Sequence, residues 1–132
     1  MVIRKLWQQI ILTGIVAIPI VAMGASATSA QNLYGAIARS RTTGDKGYSW
    51  NYRNRYDAES RAIAECNGRS GSGDCRALLW FRNACGSIAE SNDGGAGTGW
   101  GTTTALSQRY ALESCRGVGR GCRVTRTICT DR

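Results

Sequence analysis

The chain contains no histidine. Serine and cysteine hydrolases that work through an imidazole base are thereby excluded, together with most acid–base chemistry near neutrality. Its six cysteines include no Cys-x-x-Cys pair; the nearest neighbours, such as Cys115 and Cys122, have six residues between them. Without histidine that spacing offers neither the ligand pairs of a zinc site nor a thioredoxin-like redox motif, so neither metal nor cofactor is expected. Lysine is scarce as well. Residues 31–132 hold only Lys46, and no run of consecutive basic residues marks a nucleic-acid-binding tail.

A long apolar run occurs once, from Ile10 to Met23, after the basic residues Arg4 and Lys5 and before the small residues Ala25-Ser26-Ala27 and Thr28-Ser29-Ala30. This is the layout of a signal peptide over residues 1–30, with cleavage expected after Ala30. Gln8 and Gln9 interrupt the apolar stretch, which leaves it short of the ~20 residues that span a bilayer, so no mature membrane span is expected. The first cysteine is Cys66, which rules out a lipid anchor at the cleavage site. The expected address is periplasmic or secreted.

What remains, residues 31–132, is the size of one domain. All six cysteines lie in it, as an oxidising compartment permits, and three disulfides are expected. Fourteen arginines and Lys46 stand against nine carboxylates there, a net charge of +6. Such a balance either maintains solubility or favours an anionic partner: an anionic glycan, an acidic protein or another envelope component.

An internal two-fold similarity organises the segment. Gly35-Ala36-Ile37-Ala38 recurs as Gly86-Ser87-Ile88-Ala89; a turn, a tryptophan (Trp50 or Trp100), a helical stretch ending in Cys66 or Cys115 and a Cys-Arg strand follow in each. The two copies run over residues 33–83 and 84–130. Thr43-Gly44-Asp45 and Asn92-Asp93-Gly94-Gly95 carry the Gly and Asx chemistry of hairpin turns. Asn54, and Thr103 or Thr104, suit helix N-caps, with Ala58, Ala62 and Cys66 on one helical face. The fold class expected is α+β: two tandem β-β-α-β repeats forming one antiparallel sheet of about six strands, with two helices on one face. Matching the copies pairs Cys66 with Cys75 and Cys115 with Cys122, leaving Cys85 with Cys129.

Tyr34-Gly35-Ala36-Ile37-Ala38, the junction Trp80-Phe81-Arg82-Asn83-Ala84-Cys85-Gly86, the helix ending in Cys66 and the Cys-Arg strands together resemble the bacterial domain-of-unknown-function family 4189 (DUF 4189). The resemblance spans Leu33 to Thr130. It implies a secreted or periplasmic bacterial protein with cysteines, and it carries over no activity and no site residue. Arg61 and Arg109 interrupt helices that are alanine-rich in the family, and are expected on solvent faces.

No catalytic set can be assembled. Asp45, Asp57, Glu59, Asp74, Glu90 and Asp93 occupy turns, helix starts or strand ends. The glycine-rich segment 95–101 lacks the lysine of a phosphate-binding loop. The expected function is therefore that of an exported, non-enzymatic binding or interaction protein of the envelope or extracellular space, such as an inhibitor or toxin-neutralising protein. The alternative is a small histidine-free hydrolase that cuts cell-wall glycan through carboxylates. Period-two alternation places Tyr48, Trp50 and Tyr52 on one side of the second strand, and Arg76, Trp80 and Arg82 on one side of the third. Gly47, Ser49 and Asn51 then face the helix. The six larger side chains are expected to share an open sheet face that either binds a partner or is covered by a second copy.

Overall fold

The computed structural model describes residues 30–132; the signal peptide expected over residues 1–30 lies, apart from Ala30, outside the described residues. Eight elements follow one another: β1 (Tyr34–Arg39), β2 (Lys46–Tyr52), α1 (Arg55–Ser70), β3 (Arg76–Arg82), β4 (Cys85–Glu90), β5 (Ala96–Gly101), α2 (Thr104–Arg116) and β6 (Arg123–Cys129). All strand pairs are antiparallel.

The strands do not form a single sheet. They make two three-stranded sheets, in the orders β2-β1-β3 and β5-β4-β6. The helices do not share one face either: α1 covers the first sheet and α2 the second, and the sheets pack against each other between them. The reason is in the central strands. Ala36 and Ala38 turn to α1, while Ile37 between them joins Tyr48, Phe81, Ile88 and Ile128 in a core between the sheets. Both faces of β1 and β4 are therefore buried, and each sheet needs cover on two sides.

Side-chain size decides which layer packs where. Phe81 is the largest fully buried side chain, and a Cβ on Gly35 or Gly86 would run into its ring. These two glycines let the sheets close on a single aromatic. On the helix side of β5, a Cβ on Gly97 or Gly99 would strike the backbone of α2, and one on Gly47 in β2 would strike α1. Both helices thus lie almost directly on strand backbone. Ser49 faces α1 too and donates to the carbonyl of Ala58 at 2.6 Å.

The helix starts follow from cap chemistry. The Asn54 side chain accepts from the Asp57 amide, and that of Thr103 from the Leu106 amide. Ala58, Ala62 and Cys66 are the buried residues of α1; Ser107, Ala111 and Cys115 are those of α2. Arg61 and Arg109 are exposed. Disulfides join Cys66 to Cys75, Cys115 to Cys122 and Cys85 to Cys129. The first two tie each helix end to the strand after it, and the third ties β4 to β6.

Candidate functional site

The six side chains expected on one open face are divided by two β-bulges. In β2, Ser49 pairs with Ala36 but Tyr52 pairs with Tyr34, so Trp50 and Asn51 together oppose Gly35. Asn51 takes a positive φ of 63°. The extra residue reverses the alternation, and Tyr52 packs on the α1 side. Tyr48 is buried between the sheets, with the Arg126 guanidinium 4.9 Å from its ring centre. Burial lifts its phenol above the ordinary value even though Arg126 favours the anion. Trp50 is exposed beside it. In β3, Ile37 pairs with Leu79 but Ala38 with Ala77, which leaves Leu78 as the extra residue. Leu79 and Phe81 consequently face the second sheet, while Trp80 pairs with Ala36 and Arg82 with Tyr34, on the α1 side. Arg76, at the start of β3, is exposed and pairs with Arg39. The six are therefore not one shared surface: Tyr48, Trp50 and Tyr52 line a hollow beside Arg61 and Glu65 of α1, Trp80 and Arg82 line a different one, and Arg76 lines neither.

A different surface brings aromatic side chains together. β3 and β5 are edge strands of their sheets and lie side by side, the Thr98 hydroxyl reaching the Leu78 carbonyl at 3.5 Å. Between them a groove of about 530 Å³ is lined by Leu78, Leu79, Trp80, Phe81, Arg82 and Trp100. A second hollow of about 520 Å³ continues from Leu79 and Trp100 across the edge of β5 to Leu106 and Tyr110 on α2. Trp100 is 54% exposed and Trp80 39%. Trp80 is held in place by stacking on Tyr34, with ring centres 6.2 Å apart, and by the Arg55 guanidinium 4.7 Å from its own centre. Trp100, Leu106 and Tyr110 were missed by the sequence reading of the face. The signal was present, because the glycines needed under α2 alternate with Thr98 and Trp100 and so assign those two to the other side.

Among the described residues, no carboxylate lines either hollow. Asp57 belongs to the α1 cap, while Glu59, Glu65 and Glu113 pair with arginines one helical turn away. Asp93 accepts from the Arg120 amide. Glu90 sits where the sheets meet: burial opposes its ionisation, yet bonds from Lys46 and Thr125 and the charges of Lys46 and Arg39 outweigh it and hold the carboxyl below its ordinary value. Asp74 accepts from Ser40 at 2.6 Å, from Thr42 at 2.7 Å and from Ser72, and these hydroxyls hold its carboxyl far below 3.8. It thereby fastens the β1–β2 turn to the loop before β3. A carboxyl depressed by folding contributes stability that is complete above its unfolded value and is lost as acid protonates the native form. Asp74→Asn should accordingly lower the thermal midpoint at neutral pH, and the gap from the parent should shrink as the pH falls below 3.8. A gap that stays constant in acid would contradict this role.

Comparison with known proteins adds a family. The profile of a domain of unknown function, DUF4189, matches residues 34–129. The chain belongs to this family. Protein Mb1300c of Mycobacterium bovis and Protein Rv1269c of Mycobacterium tuberculosis are each 39% identical to the chain over 89 residues, covering 67% of this chain and 66% of their own length. The NMR structure of Rv1813c from Mycobacterium tuberculosis is similar at a TM-score of 0.50, with 28% identity and 74% of each chain covered. In this DUF4189 domain three disulfides fit an oxidising compartment. No helix among the described residues is long and apolar enough to cross a membrane.

Proposed function

We propose that this DUF4189 domain is an exported binding protein of the bacterial envelope or extracellular space, and that it holds its partner in the groove between β3 and β5. The observation that carries the reading is the pair Trp80 and Trp100, two large and partly exposed residues that line one hollow. Rings already fixed by neighbours lose little entropy on binding, and such anchors dominate interface energies. The Tyr34–Trp80–Arg55 stack is an anchor of that kind. Arg82 at the groove and the net charge of +6 favour a partner with negative charge. The idea of two copied units is supported by the same order, strand, strand, helix, strand, in each half. The copies have diverged where it matters. Trp50 neighbours a hollow of only about 210 Å³ that also holds Arg61 and Glu65, whereas Trp100 opens on apolar walls.

The test is retention of envelope components by immobilised residues 31–132 and by the double variant Trp80→Ala, Trp100→Ala. Species kept by the parent should be lost by the variant, with affinity falling by about a hundredfold or more, as when two hot-spot aromatics are removed. Identical retention by two equally folded proteins would remove the groove from consideration.

A further inference from the structure

Four strands lie at sheet edges, and an open edge is a template for another strand unless something guards it. Three edges are guarded by cations: Lys46 in β2, Arg76 and Arg82 in β3, Arg123 and Arg126 in β6. The fourth, β5, reads Ala96-Gly97-Thr98-Gly99-Trp100-Gly101 and carries neither charge nor proline. Its inner edge is paired with β4, and among the described residues no strand pairs with its outer edge.

The two hollows flank this same edge. One opens on the side that faces the first sheet, at Leu79 and Phe81; the other wraps over the edge to Leu106 and Tyr110 on α2. Successive side chains of an extended chain point to opposite sides. A strand added to β5 would therefore send alternate side chains into one hollow and then the other, while its backbone bonds to the free groups of β5.

Resting on the groove reading above, we infer that the partner is an extended polypeptide segment of another protein, apolar at alternating positions and acidic at its ends, which joins the second sheet as a fourth strand beside β5. A second copy of this chain is a poor occupant. Its own β5 would place Gly97, Gly99 and Gly101 over the hollow beside α2 and leave that hollow unfilled, and each copy brings a charge of +6. Charge complementarity selects the acidic ends: Arg76 and Arg82 on the neighbouring edge form no salt bridge among the described residues.

The probe is a synthetic peptide of alternating leucine and valine flanked by paired glutamates, titrated into residues 31–132 by fluorescence anisotropy. It should bind one to one and slow amide hydrogen exchange at β5. Methylating the peptide nitrogens that face β5 keeps every side chain but removes the strand hydrogen bonds, and should weaken binding by about tenfold or more. Thr98→Lys, which installs a guard on the edge, should do the same in a protein whose circular dichroism is unchanged. Equal binding of the methylated peptide overturns strand addition. So does absence of binding by the parent peptide when envelope ligands still depend on Trp80 and Trp100, a result that leaves the groove reading standing. A parent protein that is dimeric by light scattering and becomes monomeric with Thr98→Lys would make the second copy the occupant and overturn the inference.

Discussion

Replacing Phe81 with alanine should cost about 3–5 kcal/mol of unfolding free energy, measured by urea denaturation of the oxidised protein. A domain of this size has about 5–15 kcal/mol in total, so the variant should be close to unfolding at physiological temperature. The size of the effect follows from where the ring sits. Phe81 is 1% exposed and fills the space between the sheets. Its walls are the backbones at Gly35 and Gly86, together with Ile37 and Ile88 on the two central strands. Backbone held in two hydrogen-bonded sheets cannot move in to close the gap, so the cavity term adds to the lost transfer energy. Leu78, three residues earlier and 43% exposed, is the internal comparison. Leu78→Ala should change stability by no more than about 0.5 kcal/mol, as expected of a surface position. Similar losses from the two changes would mean that the core is not organised around the Phe81 ring.

Placement of Phe81 also separates what is legible in the sequence from what only the packing of the two sheets determines. The cap at Asn54 was legible, and the second cap was legible to within one residue, Thr103 or Thr104, because a side-chain oxygen at that point of the pattern has one obvious use. The buried face of α1 was legible because Ala58, Ala62 and Cys66 repeat at the helical period. Small residues facing the helices were half legible: Gly47 and Ser49 do so, whereas Asn51 falls in a bulge. What failed was the count of layers. Period-two reasoning assigns one apolar face and one open face to a strand, and β1 hides alanines on one side and isoleucine on the other. The alanines suit a close helix and the isoleucine a facing sheet, a distinction of size rather than of polarity. The site failed for a different reason. A bulge inserts one residue without any composition of its own, yet it transfers every later side chain to the opposite face. Tyr52 and Trp80 were carried across in that way. The groove itself joins β3 to β5, from different halves of the chain, and no local pattern reports on that contact.

The disulfides should differ in worth, and the order is set by loop length. Cys85 and Cys129 are 44 residues apart, against nine for Cys66 and Cys75 and seven for Cys115 and Cys122. If a bridge acts by restricting the unfolded chain, the longest loop restricts it most: about 4 kcal/mol for Cys85–Cys129 and about 2.5 kcal/mol for either short loop. Native contacts point the same way. Cys85 and Cys129 are opposite one another in the β4–β6 pair, next to Ala84 and Thr130, where the Thr130 hydroxyl accepts from the Ala84 amide at 2.9 Å. Without the bridge, β6 is an edge strand at the end of the described chain, held by one neighbour. With it, the strand that supplies Ile128 to the inter-sheet core is anchored at the same end as Phe81. The double change Cys85→Ser, Cys129→Ser should therefore lower stability more than either of the other paired changes, and hydrogen exchange should rise first along β6. Equal losses from all three pairs would show that strain or packing at each bridge, rather than loop length, sets its contribution. A larger loss from the Cys115–Cys122 pair would instead make the seat of α2 on Gly97 and Gly99 the weakest point of the domain, and would place the greatest sensitivity directly beneath the proposed binding edge.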